Sequence, residues 1–216
     1  MCADHRNRVP LADVRDEFAD LRVPLRFPAG LPNLPPRDSI RITDPALVIR
    51  QADDGGAPEL LSMRWSWPAP ARGGKPGRPV FNFRSEGRRF ARGRCLVVAD
   101  GFYEWTAPEA GRKAKTKWLF TVAGRPWFCI AGLWRAGAAP GEAGPVDAFT
   151  MLTVSPGPDV APYHDRQIAL PPRAWWRGWL DGSADEADVL RPCPAGSLEV
   201  RRADDPPPAP DLLTPA

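Results

Sequence analysis

Cys2, the residue immediately after the initiator methionine, has the side chain best suited to covalent chemistry in this chain. A small second residue normally permits removal of Met1, and removal would leave Cys2 with a free α-amine beside its thiol. The amine titrates near ~8 and the thiol near ~8.5, so both are partly in their nucleophilic forms at neutral pH. The alternative is that position 2 belongs to a frayed terminus without a function, as in most proteins.

The stretch over residues 78–105 combines basic residues with one carboxyl group in an aromatic setting. Its first half places arginines around a single amide, Asn82, which suits a polyanion. Its second half ends with Glu104 between Tyr103 and Trp105, where aromatic rings exclude water and raise a carboxyl pKa. The stretch therefore predicts a phosphate-binding surface beside a proton-transferring acid. The alternative is a solvated charge run followed by a glutamate that points to water.

The net charge is only +3, so affinity for a nucleic acid has to come from local clustering of charge. One cluster has Glu86 as its only acid, and its basic residues are Arg72, Lys75, Arg78, Arg84, Arg88, Arg89, Arg92 and Arg94. Trp65 and Trp67 precede this cluster and could stack on bases, as aromatic side chains do in single-strand-binding proteins. Covering the hydrophobic core is the alternative for both tryptophans.

The cysteines and histidines are too scattered for a structural metal site. The four cysteines form no C-x-x-C pair, and the two histidines, His5 and His164, are far apart in sequence. We therefore predict no metal ion and no cofactor. Cys95 and Cys129 lie in apolar runs, and we interpret them as buried, inert thiols.

Length and composition predict one globular domain. A chain of 216 residues with 43% hydrophobic and 25% charged residues can bury a substantial core. No apolar run approaches the ~20 residues of a membrane span, and the amino terminus lacks the apolar segment of a signal peptide. We expect a cytoplasmic protein without membrane association. The domain is predicted over residues 1–202, followed by a disordered, proline-rich tail over residues 203–216.

The elements that must position these side chains are short. Pro10 begins a helix with one apolar face, which ends before Pro24. Residues 25–39 form a proline-rich loop, in which Pro36 could wedge against stacked bases. A second helix is predicted to begin at Pro171-Pro172 and to bury its tryptophans against the sheet, and a third helical segment is predicted over residues 184–190. Strands are predicted over residues 46–51, 59–65, 94–99, 117–122, 127–133, 147–154, 167–170 and 197–201. Many short strands and few helices indicate an α+β fold with a strongly bent antiparallel β-sheet or barrel-like core.

Several blocks follow Cys2 in a specific order along the chain. They are Asn82-Phe83-Arg84-Ser85-Glu86, Arg94-Cys95-Leu96, Asp100-Gly101-Phe102-Tyr103-Glu104-Trp105, Ala131-Gly132-Leu133-Trp134 and His164-Asp165-Arg166. Each block is short, but their order together with a cysteine at position 2 is specific. This arrangement resembles the SOS response-associated peptidase (SRAP) family, whose members shield abasic sites in DNA. The similarity extends from Cys2 to about Leu180.

The resemblance implies a covalent activity and a role for each matching residue. The amine of an amino-terminal cysteine forms a Schiff base with the aldehyde of an abasic deoxyribose, and the thiol then closes a thiazolidine ring. Glu104 would shuttle protons, His164 would assist opening of the sugar ring and reversal of the crosslink, and Asn82 would hold the nucleophile or the sugar. The implied contacts with DNA are Arg84 and Arg166 to phosphates, Thr153, and more loosely Trp65, Trp67, Pro36 and Arg78.

The implied partner is single-stranded DNA that contains abasic sites, bound by a monomer that associates with the nucleoid when the DNA is damaged. The family name also implies a peptidase activity, which removal of the residue ahead of Cys2 would satisfy, and the imine chemistry implies an abasic-site lyase activity. This chain departs from the family pattern in having Ala3 and Asp4 where Gly and Arg are typical. An aspartate at position 4 is expected to weaken phosphate binding locally.

Two other functions fit the same residues. An amino-terminal-nucleophile amidohydrolase would use Cys2 to attack an amide, with its own amine as the base. That class needs a four-layer αββα architecture with long helices, which a chain with 28 prolines hardly supplies. A non-covalent single-strand-binding module would bind DNA whether or not Cys2 is present.

Overall fold

The computed structural model describes residues 2–32, 34–68, 77–108, 111, 113–140 and 144–205, and these residues form fourteen strands and three α-helices. The strands are β1 (Asp4–Asn7), β2 (Arg37–Arg41), β3 (Pro45–Arg50), β4 (Glu59–Trp65), β5 (Trp67–Pro68), β6 (Pro79–Val80), β7 (Asn82–Arg84), β8 (Arg94–Ala99), β9 (Gly101–Thr106), β10 (Thr116–Val122), β11 (Phe128–Ala139), β12 (Val146–Val154), β13 (Gln167–Ile168) and β14 (Leu198–Arg202). The helices are α1 (Leu11–Asp20), α2 (Trp176–Asp181) and α3 (Glu186–Val189).

Five of these strands close into a barrel. β8 pairs with β3 and β11, and β3 pairs with β4, all antiparallel. β12 completes the ring, because it pairs with β4 on one side and with β11 on the other. Every residue of β8 after Arg94 is buried, as expected for a continuous apolar run with both faces covered. The barrel-like core of an α+β protein is thus confirmed, although β12 runs parallel to β4 and β7, which an all-antiparallel sheet does not include.

A second, antiparallel sheet has the strand order β14-β10-β9-β1-β2. β1 lies between β9 and β2, where His5 faces Phe102 on one side and Ile40 on the other. The beginning of the chain is therefore an interior strand of this sheet, directly beside the strand that contains Glu104. On the barrel, β7 pairs with β12 and places Asn82 opposite Met151.

The helices cover the barrel through their aromatic residues. Phe18 of α1 stacks on Trp176 of α2, with 5.5 Å between the ring centroids. The indole N–H of Trp179 donates to the carbonyl oxygen of Cys95 at 2.8 Å, which satisfies the polar edge of a buried ring. No helix in the described part of the chain is both long enough and apolar enough to cross a bilayer.

Local signals predicted most of these elements, and Glu59–Trp65 and Arg94–Ala99 agree with the predicted strands at both ends. The loop prediction for residues 25–39 is wrong at its end, since Arg37–Arg41 is a strand, and Asp4–Asn7 was not predicted at all. Both strands are rich in charged and polar residues, and only their pairing with each other and with β9 makes them strands. The predicted tail lies outside the described residues from position 206 onward.

Candidate active site at the amino terminus

Cys2 lies immediately before β1 and is almost completely buried, with 1% of its surface exposed. Its thiol donates to the carbonyl oxygen of Asp4 at 3.2 Å. The side-chain amide of Asn82 donates to the carbonyl oxygen of Cys2 at 2.6 Å. Hydrogen bonds with Asp4 of β1 and Asn82 of β7 therefore hold Cys2 in place, and the alternative of a frayed terminus does not apply.

Glu104 lies in β9, next to β1, and is 2% exposed. Its carboxylate accepts a hydrogen bond from the main-chain nitrogen of Cys2. Burial raises the pKa of Glu104 to about 7, against the lowering effect of this hydrogen bond. Near neutral pH the carboxyl group is thus present in both protonation states, as a proton shuttle requires.

The Cys2 thiol, unlike Glu104, remains in a single protonation state near neutral pH. Burial raises its pKa far above the ordinary value, and the neighbouring Glu104 carboxylate raises it further. The thiol is consequently protonated at neutral pH in this closed site.

His164 lies in the loop between β12 and β13, close to the other site residues. The preceding residue, Tyr163, packs against Trp118, which is the cross-strand partner of Glu104, with 4.9 Å between the rings. The negative charge of Asp165 in the same loop also raises the pKa of Glu104. The loop therefore faces the carboxylate, and the structure brings Cys2, Asn82, Glu104 and the His164 loop together.

Two contacts at Nδ1 of His164 correspond to two protonation states. The main-chain N–H of Arg166 donates to Nδ1 at 2.9 Å, which leaves the proton of the neutral ring on Nε2. The carboxylate of Asp165 lies 2.8 Å from the same nitrogen and pairs with the ring once it is protonated. Burial lowers the pKa of His164, so the neutral ring with Nε2 as the donor predominates at neutral pH.

Arg166 and Thr153 do not have the surroundings expected of DNA contacts. Arg166 is 8% exposed, and its guanidinium forms two hydrogen bonds with Glu86, at 2.5 and 2.8 Å. It also donates to the carbonyl and hydroxyl oxygens of Thr153, at 2.8 and 3.1 Å. Thr153 itself is 1% exposed. Both residues are committed to internal contacts that hold the His164 loop on β12.

The predicted stacking of Trp65 and Trp67 on bases is corrected by their burial. Trp65 has no exposed surface, contacts His5 edge-to-face at 5.0 Å and donates its indole N–H to the Phe81 carbonyl oxygen at 2.9 Å. Trp67 is 3% exposed, and the guanidinium of Arg135 covers its ring at 4.6 Å. The alternative considered for both residues, a place in the core, is the correct one.

Arg78, Arg84 and Pro36 are exposed, as contacts with DNA require. Three further arginines of the basic cluster are also exposed, namely Arg88, Arg89 and Arg92. Arg94 is not, because it forms an ion pair with Glu186 at 2.9 Å beneath this surface. Arg84 lies in β7, the strand that contains Asn82, so at least this exposed arginine shares an element with the site.

Asp4, the departure from the family pattern, points inward rather than toward a phosphate. It is 2% exposed, and its carboxylate accepts hydrogen bonds from the Ser39 hydroxyl at 2.9 Å and from the ammonium of Lys117 at 2.7 Å. Lys117 was not among the residues expected at the site from the sequence. The signal that could have found it is a lysine near the start of the strand that follows the Glu104 strand.

The described residues include no group of three or more His, Cys, Asp or Glu side chains that could hold a metal ion. The candidate site consists of an amide, a carboxyl group, an imidazole and a cysteine, and this set of groups suits proton transfer and addition to a carbonyl carbon.

The fold and the site together define a class of protein. The model of the SOS response associated peptidase (SRAP) family matches residues 1–205, and the chain therefore belongs to that family. Among named relatives, the abasic site processing protein YoqW of Bacillus subtilis (strain 168) is 24% identical over 197 residues, which cover 85% of this chain and 87% of that protein. The abasic site processing protein YoaM of the same organism is 26% identical over 153 residues, or 67% of this chain and 66% of that protein.

Solved structures show the same fold. A protein from Bacteroides thetaiotaomicron aligns with a TM-score of 0.67 and 16% identity over 93% of this chain and 91% of that chain. A phage-related protein from Bordetella bronchiseptica aligns with a TM-score of 0.67 and 21% identity over 94% of this chain and 95% of that chain.

Proposed function

We propose that this protein captures abasic sites in single-stranded DNA covalently, through the α-amine and the thiol of Cys2 after removal of Met1. Membership of the family and the names of its abasic site processing relatives support abasic DNA as the substrate. One observation carries the proposal. The Glu104 carboxylate contacts the main-chain nitrogen of Cys2, while Asn82 holds the carbonyl group of the same residue.

In the first step the amine attacks the C1′ aldehyde of the ring-opened deoxyribose. Glu104 carries two protons, one after the other, from the attacking nitrogen to the former carbonyl oxygen: the first gives the carbinolamine, and the second lets its hydroxyl group leave as water. The product is an imine. A carboxyl group with a pKa of about 7 can do both because neither protonation state is scarce at neutral pH.

In the second step the thiol adds to the imine carbon. The thiol proton passes to Glu104, a carbon–sulfur bond forms, and the imine nitrogen takes up a proton, so that a thiazolidine ring results. The whole sequence releases one water and needs no oxidant or reductant. Because burial keeps the thiol protonated until Glu104 accepts its proton, ring closure follows amine attack.

His164 supplies the remaining proton transfer. An abasic sugar is mostly a closed ring, and opening it requires a proton on the ring oxygen. The neutral His164 ring has Nε2–H as its donor, since Nδ1 accepts from the Arg166 main chain. Reversal of the crosslink uses the same group in the opposite direction.

The test is the intact mass of the protein mixed with a single-stranded oligonucleotide that contains one abasic site. We expect a protein without Met1 and an adduct equal to the sum of the two masses less one water. Cys2→Ser is the matched control, because it keeps the amine but cannot close a thiazolidine, so its adduct should persist only after reduction with borohydride. Retention of Met1, or an equally stable adduct with Cys2→Ala, would refute the proposal.

Glu104→Gln tests the proton shuttle. It should slow adduct formation roughly tenfold or more, because an amide cannot exchange protons with the amine. The affinity for undamaged single-stranded DNA should stay within about threefold of the original value, since a buried side chain does not reach a phosphate. A much larger loss of affinity, measured by fluorescence anisotropy, would mean that Glu104 has a structural role.

The two alternatives make different demands. An amidohydrolase of the amino-terminal-nucleophile class has a four-layer αββα architecture, whereas the described residues form a barrel and a sheet with three short helices. If the protein is a non-covalent binding module, the original protein and Cys2→Ala should both bind abasic DNA under native conditions, and both should release it on denaturation. Denaturing electrophoresis of the mixtures separates these outcomes.

A further inference from the structure

A partly buried ion pair begins two residues after the nucleophile. Asp4 follows Cys2 by two residues, and its main-chain oxygen accepts the Cys2 thiol hydrogen bond. Its carboxylate is held by Lys117 of β10 at 2.7 Å and by Ser39 of β2 at 2.9 Å. The Asp4 side chain is 3% exposed and that of Lys117 is 31% exposed. The negative charge is therefore neutralised by a residue from another strand.

Aromatic rings fix the position of the lysine. Its ammonium lies 3.7 Å from the centroid of the Tyr103 ring and 5.4 Å from that of Trp105. Tyr103 and Trp105 flank Glu104 in β9, so the ammonium group forms cation–π contacts with the strand that contains the proposed proton shuttle. Lys117 is opposite Trp105 in the pairing of β10 with β9.

The charged and titratable groups of the candidate site and of the Asp4–Lys117 pair come from four elements. β1 contributes Asp4, β9 contributes Glu104, β10 contributes Lys117, and the loop before β13 contributes His164 with Asp165. The carboxylates of Glu104 and Asp4 both disfavour the ionised thiol. By the same Coulombic effect, negative charges favour the protonated amine, so both nucleophiles of Cys2 become less reactive as negative charge accumulates around them.

We propose that Lys117 is a positioning residue that neutralises Asp4 and thereby keeps the amine and thiol of Cys2 reactive at neutral pH. The inference rests on the proposed function of Cys2, and it identifies the Asp4–Lys117 pair as the group that adjusts the reactivity of Cys2. Lys117 itself contacts neither DNA nor the reacting atoms in this role. It acts through Asp4.

The two partners are expected to have opposite effects. Lys117→Met leaves the negative charge of Asp4 without its counter-charge. The pH–rate profile of adduct formation should therefore shift to higher pH by roughly 0.5 to 1 unit, and the rate at pH 7 should be about three- to tenfold lower. Asp4→Asn leaves Lys117 uncompensated, so the profile should shift downward. The pH–rate profile of the double variant should lie within about 0.3 pH unit of that of the original protein. Lys117→Arg keeps the positive charge, so its profile should resemble that of the original protein.

The experiment measures the rate of adduct formation from pH 5.5 to 9 for the original protein and these four variants, at saturating oligonucleotide. A structural role or a phosphate contact of Lys117 would reduce the rate or the affinity in Lys117→Met and in the double variant alike, so that adding Asp4→Asn would not restore the profile. That result, or an unshifted profile in Lys117→Met, would overturn the inference.

A second readout separates this inference from the proposed function. Formaldehyde closes a thiazolidine on any free amino-terminal cysteine, and intact mass follows the reaction without DNA. If the original protein forms no adduct with abasic DNA, the proposed function fails. The inference still stands in that case if the formaldehyde reaction shows the opposite shifts and their cancellation, and it fails if the shifts are absent.

Discussion

At the scale of single residues, burial separates arginines that the sequence makes look alike. Arg84 and Arg166 both belong to the motifs that suggested phosphate contacts. Arg84 is exposed at the end of β7, whereas Arg166 is buried in a bidentate pair with Glu86 and in contacts with Thr153. The Glu86 carboxylate has its pKa lowered to about 2 by Arg166, which shows how strongly the two groups interact. Arg166 is thus suited to holding the His164 loop.

These two arginines can be distinguished by salt. Arg84→Met should weaken binding of undamaged single-stranded DNA and reduce the slope of log affinity against log salt by about 0.7, the value for one phosphate contact on a single strand. Arg166→Met should leave that slope unchanged and lower the rate of adduct formation instead, because the His164 loop loses its anchor. Fluorescence anisotropy over a salt series measures the slope. Equal slope changes in both variants would restore Arg166 as a phosphate contact.

At the scale of elements, one position in a closing strand of the barrel has room for glycine only. Gly132 lies in β11 between β8 and β12. A Cβ atom at this position would be 2.8 Å from the carbonyl oxygen of Thr150 and 3.0 Å from the sulfur of Cys95. One contact is with rigid backbone of β12, so the strand cannot accommodate a side chain without moving. The glycine in the Ala131-Gly132-Leu133-Trp134 block therefore has a packing reason.

Gly132→Ala should lower the free energy of unfolding by roughly 1–3 kcal/mol through overpacking. Ala136→Ser, on the exposed part of the same strand, is the matched control and should change it by less than about 0.5 kcal/mol. Urea denaturation followed by tryptophan fluorescence measures both. An unchanged Gly132→Ala protein would mean that β11 and β12 separate more easily than their pairing suggests.

At the scale of the whole molecule, His5 lies between the second sheet and the barrel and makes the stability of the fold depend on pH. It lies in β1 of the second sheet, has no exposed surface and packs on Trp65 of the barrel. Neither ring nitrogen has a hydrogen-bond partner among the described residues. Burial lowers the pKa of His5 to about 3, with Arg37 adding to the effect. The folded protein therefore keeps His5 neutral where the unfolded chain, with an ordinary histidine pKa of 6.5, binds a proton.

This difference makes the fold sensitive to acid. The stabilising contribution of His5 is complete above pH 6.5 and is lost progressively as the pH falls toward 3. Glu104 acts in the opposite sense, because its raised pKa makes its contribution decline as the pH rises from about 4.5 to 7. His5→Phe keeps the ring contact with Trp65 and removes only the first effect.

Between pH 7 and pH 4 the original protein should therefore lose about 2–4 kcal/mol more unfolding free energy than His5→Phe. Urea denaturation of both proteins at the two pH values measures the difference, and Glu104 cancels from the comparison. Equal losses in the two proteins would show that His5 is accessible to protons in the folded state.

The sequence by itself determined the family and most of the framework. Cys2, Asn82, Glu104 and His164 were recognised from their types and their order, and apolar runs such as Arg94–Ala99 predicted strands because both faces of those strands are buried. These signals are local. A residue type, a turn or an apolar run expresses its preference within a few positions of the chain.

Only the tertiary structure decided which polar residues face inward. Asp4–Asn7 and Arg37–Arg41 are polar segments that become strands through pairing with partners distant in sequence, and Asp4 finds its counter-charge in Lys117, which is 113 positions away. The family resemblance likewise implied DNA contacts for Arg166 and Trp65, whereas both are buried against residues distant in sequence, among them Glu86 and Phe149. Burial and counter-charge are properties of contacts, and the contacts exist only once the barrel and the sheet have closed around the amino terminus.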